Sequence, residues 1–173
     1  MKTKTTLLVA IIAVLFSCSP EHNESNMDSL VLDREGETSG DPVTLYQTDL
    51  MAGQNILMGY VRVDLVNGEI VVTYQSDGDW VIEETHLFIG ELNQLPTNNG
   101  GNPKIGQFPY IGTHPAGTTT VAYTGQSMLT GQCVYVAAHA VVTNTISGQS
   151  ETAWGAGVPI GGNSWAMMFE VCN

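Results

Sequence analysis

The strongest constraint in this sequence is a pair of alternating runs joined by Asn67-Gly68. ILMGYVRVDLV (56–66) precedes the dipeptide and EIVVTYQ (69–75) follows it. Asn-Gly accepts the positive φ that a two-residue type I′ turn needs at both central positions, and the twist of that turn matches the strands it joins. The flanking runs are rich in Val, Ile and Tyr, which suit a pleated, half-buried surface. Period two in the first run places Leu57, Val61, Val63 and Leu65 on one face, with Arg62 and Asp64 on the other. A lone hairpin is marginal in water, so the rest of the chain must supply strands that cover the apolar face.

Those strands are legible downstream. SDGD (76–79) turns the chain into WVIEETHLFIGEL (80–92), and TTTVAYTG (118–125), CVYVAAHAVVT (133–143) and SWAMMFEVC (164–172) follow. Beyond the first twenty residues no apolar pattern sustains a 3.6-residue period with caps. The spacing predicts an all-β domain over 43–173, an antiparallel β-sandwich or jelly roll of about seven or eight strands. A domain of that length can bury an adequate core. CVYVAAHAVV (133–142) is nearly apolar on both faces and is expected to be a central strand, with His139 set in its middle. There are no internal repeats.

The first residues carry a different signal. Lys2 and Lys4 precede LLVAIIAVLF (7–16), an apolar run too short to span a hydrocarbon core of about 30 Å. A positive start, such a run and small residues after it fit an export signal over 1–17. The following L-F-S-C (15–18) resembles the lipobox of bacterial lipoproteins, although Phe16 is bulkier than the residue most common there. That resemblance implies that Cys18 receives the lipid and becomes the mature N-terminus. Residues 18–42 then form an acidic, nearly apolar-free stretch, expected to be a flexible tether because it cannot repay the entropy of ordering. Glu21 and Glu24 loosely resemble the export tags of Bacteroidetes lipoproteins. Asp28-Ser29-Leu30 likewise resembles the O-glycosylation acceptor triplet of that phylum.

Three cysteines are an odd number for an exported chain. With Cys18 lipidated, Cys133 and Cys172 remain, both in expected strands. A disulfide between them is favoured over two buried thiols in an oxidising compartment. The net charge is −12, and only Arg34, Arg62 and Lys104 are basic after the leader. Nucleic acid is excluded as a partner on that ground, because phosphate contact is driven by Lys and Arg.

The chemistry-bearing residues each admit a bland reading. His86 and His139, with a carboxylate such as Glu84 or Glu151, offer the nitrogen and oxygen ligands that zinc takes, but without H-x-H or H-x-x-x-H spacing. The favoured reading makes His139 a buried neutral imidazole bonded to a backbone carbonyl or to Glu151. No G-x-S-x-G is present, and Ser127, Ser147 and Ser150 fall in turn-like loops. Asp77-Gly78-Asp79 reads as a turn rather than a calcium loop, lacking the remaining ligands. Trp80, Trp154 and Trp165 lie beside Gly-rich or acidic turns. Exposed indoles there would stack on sugars, whereas buried ones would cap the core with the N–H bonded.

HLFIG (86–90), LPTNNGGNPKIGQFPY (95–110), VYVAAHAVV (134–142), ETAWGAG (151–157) and NSWAMMFEVC (163–172) occur in this order. The succession resembles secreted or lipoprotein β-domains of Bacteroidetes and other microbes. It implies a β-rich exported domain and brings no activity with it. The expectation is an outer-membrane lipoprotein facing the periplasm or the cell surface, with the lipid in the membrane. Its role is expected to be binding or adhesion, to polysaccharide or to another envelope protein, with no cofactor. The rival is a small metal-dependent enzyme using His86 and His139.

Overall fold

The computed structural model describes residues 41–173. The leader 1–17, Cys18 and the tether up to residue 40 lie outside the described residues. The described part is all-β. Its strands are Val43–Ala52 (β1), Ile56–Val66 (β2), Glu69–Ser76 (β3), Trp80–Gly90 (β4), Tyr110–Thr113 (β5), Thr120–Ser127 (β6), Cys133–Asn144 (β7), Ser150–Gly155 (β8), Val158–Pro159 (β9) and Met167–Cys172 (β10). Ten exceeds the seven or eight expected, because short segments such as β5 and β9 pair although they carry little apolar alternation.

The hydrogen-bonded order is β5-β4-β7-β8-β1-β2-β3-β6, with β10 beside the first half of β7 and β9 beside β10. All pairings are antiparallel. The sheet curls until its two edges approach, nearly a barrel. Near that seam Ile82 N–H donates to Thr118 O and Ser76 N–H to Thr119 O, each at 2.8 Å. Thr85 Oγ1 lies 2.7 Å from Tyr123 Oη and 2.8 Å from His114 Nε2, so a buried polar knot ties β4 to β6. Gly112 leaves room for it, since a Cβ there would overlap the Tyr123 hydroxyl and crowd the His114 ring.

The hairpin forms as its turn residues require: Asn67 and Gly68 have φ of 52° and 81°, and Val66 faces Glu69. The alternation expected in β2 holds only in part. Val61 and Val63 are fully buried, but Leu57 is exposed and Met58 takes its place inside. A register shift where Leu50–Met51 faces Gly59–Leu57 inverts the phase. Gly59 allows it, because a Cβ at that position would overlap the Gln75 carbonyl. Asp64 is also buried, accepting from Thr44 Oγ1 at 2.6 Å and Arg62 Nε at 2.8 Å.

Inside the curl, Leu50, Val61, Val63, Ile70, Val72, Leu87, Val136, Ala138, Val142 and Phe169 form the main core. A second apolar cluster lies on the outer face of β4, β7, β8 and β10, where Phe88, Ala137, Trp154 and Met168 meet Leu95, Phe108 and Ala166 from the connecting segments. β7 is therefore covered on both faces. Cys133 and Cys172 face each other across β7 and β10 and are joined by a disulfide, with Cα atoms 4.1 Å apart.

Candidate functional site

Strand register brings the two strand histidines together. His86 on β4 is the direct partner of His139 on β7, and His139 is in turn the partner of Trp154 on β8. Direct partners in an antiparallel pair project to the same face. The three side chains thus form a row across the outer face, with ring centroids 5.3 Å apart for His86–His139 and 4.8 Å for His139–Trp154. The two Nδ1 atoms are 3.3 Å apart. Burial, and secondarily the neighbouring His86, pushes His139 down to about 3. His86 is also lowered by burial, against the opposing pull of Glu84. Both rings are therefore neutral near pH 7, and one Nδ1–H donates to the lone pair of the other.

The expected partner of His139 is thereby corrected. Glu151 pairs with Val142, out of phase with the histidine row, and its carboxylate accepts from Gln149 Nε2 at 2.9 Å. His86 holds His139 instead. Among the described residues no group of three or more His, Cys, Asp or Glu side chains could hold a metal ion, so the histidine pair has no third protein ligand there.

The tryptophans also separate. Trp80 is buried in the main core and Trp154 beneath Phe108, whose ring meets it edge-on at 6.5 Å. Neither offers a face for a sugar: Trp80 lies inside the curl, and the loop after β4 folds over Trp154. Trp165 is only half-buried, at the border of the outer cluster. Asp77 and Asp79 flank Gly78 in a turn, where the Asp77 carbonyl accepts from Trp80 N–H and the Asp79 carbonyl from Thr145 N–H.

A hollow that the sequence did not announce lies in the segment between β4 and β5. Asn98, Asn99, Gly100, Asn102 and Lys104 line it. The loop that carries them is a miniature hairpin: Thr97 bridges Pro103, and Asn98 N–H donates to the Asn102 carbonyl at 2.9 Å. Buried Leu95 and Phe108 anchor its two ends in the outer cluster. Asn98 Oδ1 accepts from the backbone N–H of Gly100 and of Asn102. Asn102 Oδ1 accepts from Asn163 N–H at 2.9 Å, joining this loop to the one before Trp165. The two loops meet where Gly101 lies against Gly162, too close for a side chain on Gly162 beside Asn102.

Comparison with protein-family models, curated proteins and solved structures finds no match. The function has to be read from the site.

Proposed function

We propose that this chain is an exported, lipid-anchored binding protein whose β-domain attaches to polysaccharide at the cell envelope. The observation that carries the reading is the amide-lined hollow at Asn98–Lys104, whose loop is bonded through Asn102 to Asn163, two residues before the half-buried Trp165. Asparagine amides suit sugar hydroxyls, and a half-exposed indole supplies the apolar face that a pyranose ring stacks on. The leader and the L-F-S-C run support export and anchoring, and the disulfide agrees with an oxidising compartment. The purified full chain, screened on a glycan array, is expected to bind a defined set of carbohydrates, and Trp165→Ala is expected to weaken that binding at least tenfold. Binding to no carbohydrate, with a chain shown to be folded, would sink the reading.

The rival metal reading gains one observation. An Nδ1–Nδ1 distance of 3.3 Å is close to the span of two imidazoles on one tetrahedral ion with bonds of about 2.0–2.1 Å. Water or a ligand would have to complete that coordination. Metal analysis of the purified chain separates the two readings: near-stoichiometric zinc, removed by chelator without unfolding and lost in His86→Ala, would favour the metal site.

A further inference from the structure

We infer that the hollow at Asn98–Lys104 recognises a single anionic substituent, a carboxylate or a sulfate ester, on an otherwise neutral glycan. The inference rests on the polysaccharide reading and narrows it. The reason is the fate of the polar atoms around the hollow. The Asn98 side-chain oxygen is taken by two backbone N–H groups and that of Asn102 by a third. Of the two polar atoms of an amide only the oxygen accepts from N–H, so those bonds also settle which way each amide is turned. The Nδ2 groups of Asn98 and Asn102 have no partner among the described residues, and each carries two protons to donate. Lys104, exposed at the rim, adds three more donors and a positive charge.

A neutral sugar hydroxyl both donates and accepts, and a site built for it offers both roles. Here the side-chain donors without a partner, on Asn98, Asn102 and Lys104, outnumber the side-chain acceptors, which are the Asn99 oxygen and the second lone pair of the Asn102 oxygen. The complement of such a site is a group rich in acceptors. Charge points the same way. Of the two Lys and Arg side chains among the described residues, Arg62 is tied to Asp64 at 2.8 Å. Lys104 is in no ion pair among those residues. Burial lowers His86, His114 and His139, so none of them adds a cation near pH 7. A chain of net charge −12 repels a polyanion, however, and one lysine cannot offset that repulsion along a continuous acidic polymer. The charge balance therefore selects an isolated anionic group whose neighbours are neutral sugars.

A matched set of probes tests this on the full chain: lactose, lactose bearing one sulfate, lactose bearing one carboxylate sugar, and polygalacturonate. The expected result is binding of at least one singly charged probe tenfold or more tighter than lactose or polygalacturonate, and weaker as salt is raised. The two charged arms tell carboxylate from sulfate. Lys104→Gln is expected to remove that preference, Lys104→Arg to keep affinity within about threefold, and Asn99→Ala to weaken it severalfold. Lys104 and Asn99 are exposed and their side chains make no hydrogen bond within the described residues, so these variants should fold as the parent does. Equal binding of lactose and the charged probes, or a preference untouched in Lys104→Gln, overturns the inference while leaving carbohydrate binding standing. Binding to neutral glycans elsewhere on the array with none to this set also overturns it. Absence of all carbohydrate binding overturns the polysaccharide reading itself.

Discussion

His139 illustrates how a polar side chain survives in an apolar strand. It is 2% exposed, and its ring contacts are another neutral imidazole and an indole. Removing it leaves His86 Nδ1 without its partner and opens space beneath Trp154. His139→Ala is expected to cost roughly 2–4 kcal/mol in denaturant unfolding, with His139→Gln costing less because it keeps a donor and most of the volume. The pH dependence follows from the direction of the shift. In the folded chain His139 is pushed down to about 3, whereas unfolded it titrates near the ordinary value of about 6.5. Between those values the unfolded state binds the extra proton. Stability should therefore be unaffected by this group above about pH 6.5 and fall with pH below it, by at most about 1.4 kcal/mol per pH unit, until the folded ring itself titrates. The Gln variant should show a shallower acid slope than the parent. Equal slopes would mean that His139 is protonated in the folded chain.

Elements show what sequence reading captures and where it stops. The Asn67-Gly68 hairpin, the central position of β7 and the Cys133–Cys172 bridge were all legible, because each depends on local turn chemistry, local hydropathy or cysteine arithmetic. The His86–His139 pair was not. Alternation says which face a residue takes but not which strand lies alongside, and β4 meets β7 across a separation of 53 residues. Burial was the favoured reading for Trp154, but what covers it was hidden for the same reason: the loop over it is polar in sequence and anchored by Leu95, Ile105 and Phe108. The phase slip at Met58–Gly59 shows a single glycine overriding a period-two pattern. The disulfide joins direct partners at one end of β7 and closes 39 residues of sequence. Its reduction should lower the melting temperature by several degrees, consistent with roughly 3–4 kcal/mol from loop closure. Thiol titration of the denatured, unreduced chain should find neither cysteine reactive.

At the scale of the whole molecule, the proposed anchoring and the folding of the described domain fall to different parts of the chain. The first described strand, β1, starts at Val43, and under the lipid anchor proposed above Cys18 would act through its lipid rather than through the domain. Cys18→Ala is expected to yield a chain that no longer partitions into detergent and whose N-terminal peptide lacks the added lipid mass, while the domain melts as in the parent. A change in melting temperature without a change in partitioning would contradict that division of labour.

The position of β1 has one more consequence, which concerns time. β1 is the first described strand to be synthesised, yet the last three residues of one of its edges are paired by β8, through Leu50–Gly155, Met51–Trp154 and Ala52–Ala153. Until β8 arrives, β1 presents unpaired N–H and C=O groups to any passing strand, the condition under which chains pair with one another. Such late, non-local pairing makes assembly slow and exposes the intermediate to self-association. A chain ending before Ser150 is expected to gather into oligomers through that open edge, and refolding of the full chain should lose yield steeply as its concentration rises. The protein is most vulnerable while its last strands are still to come.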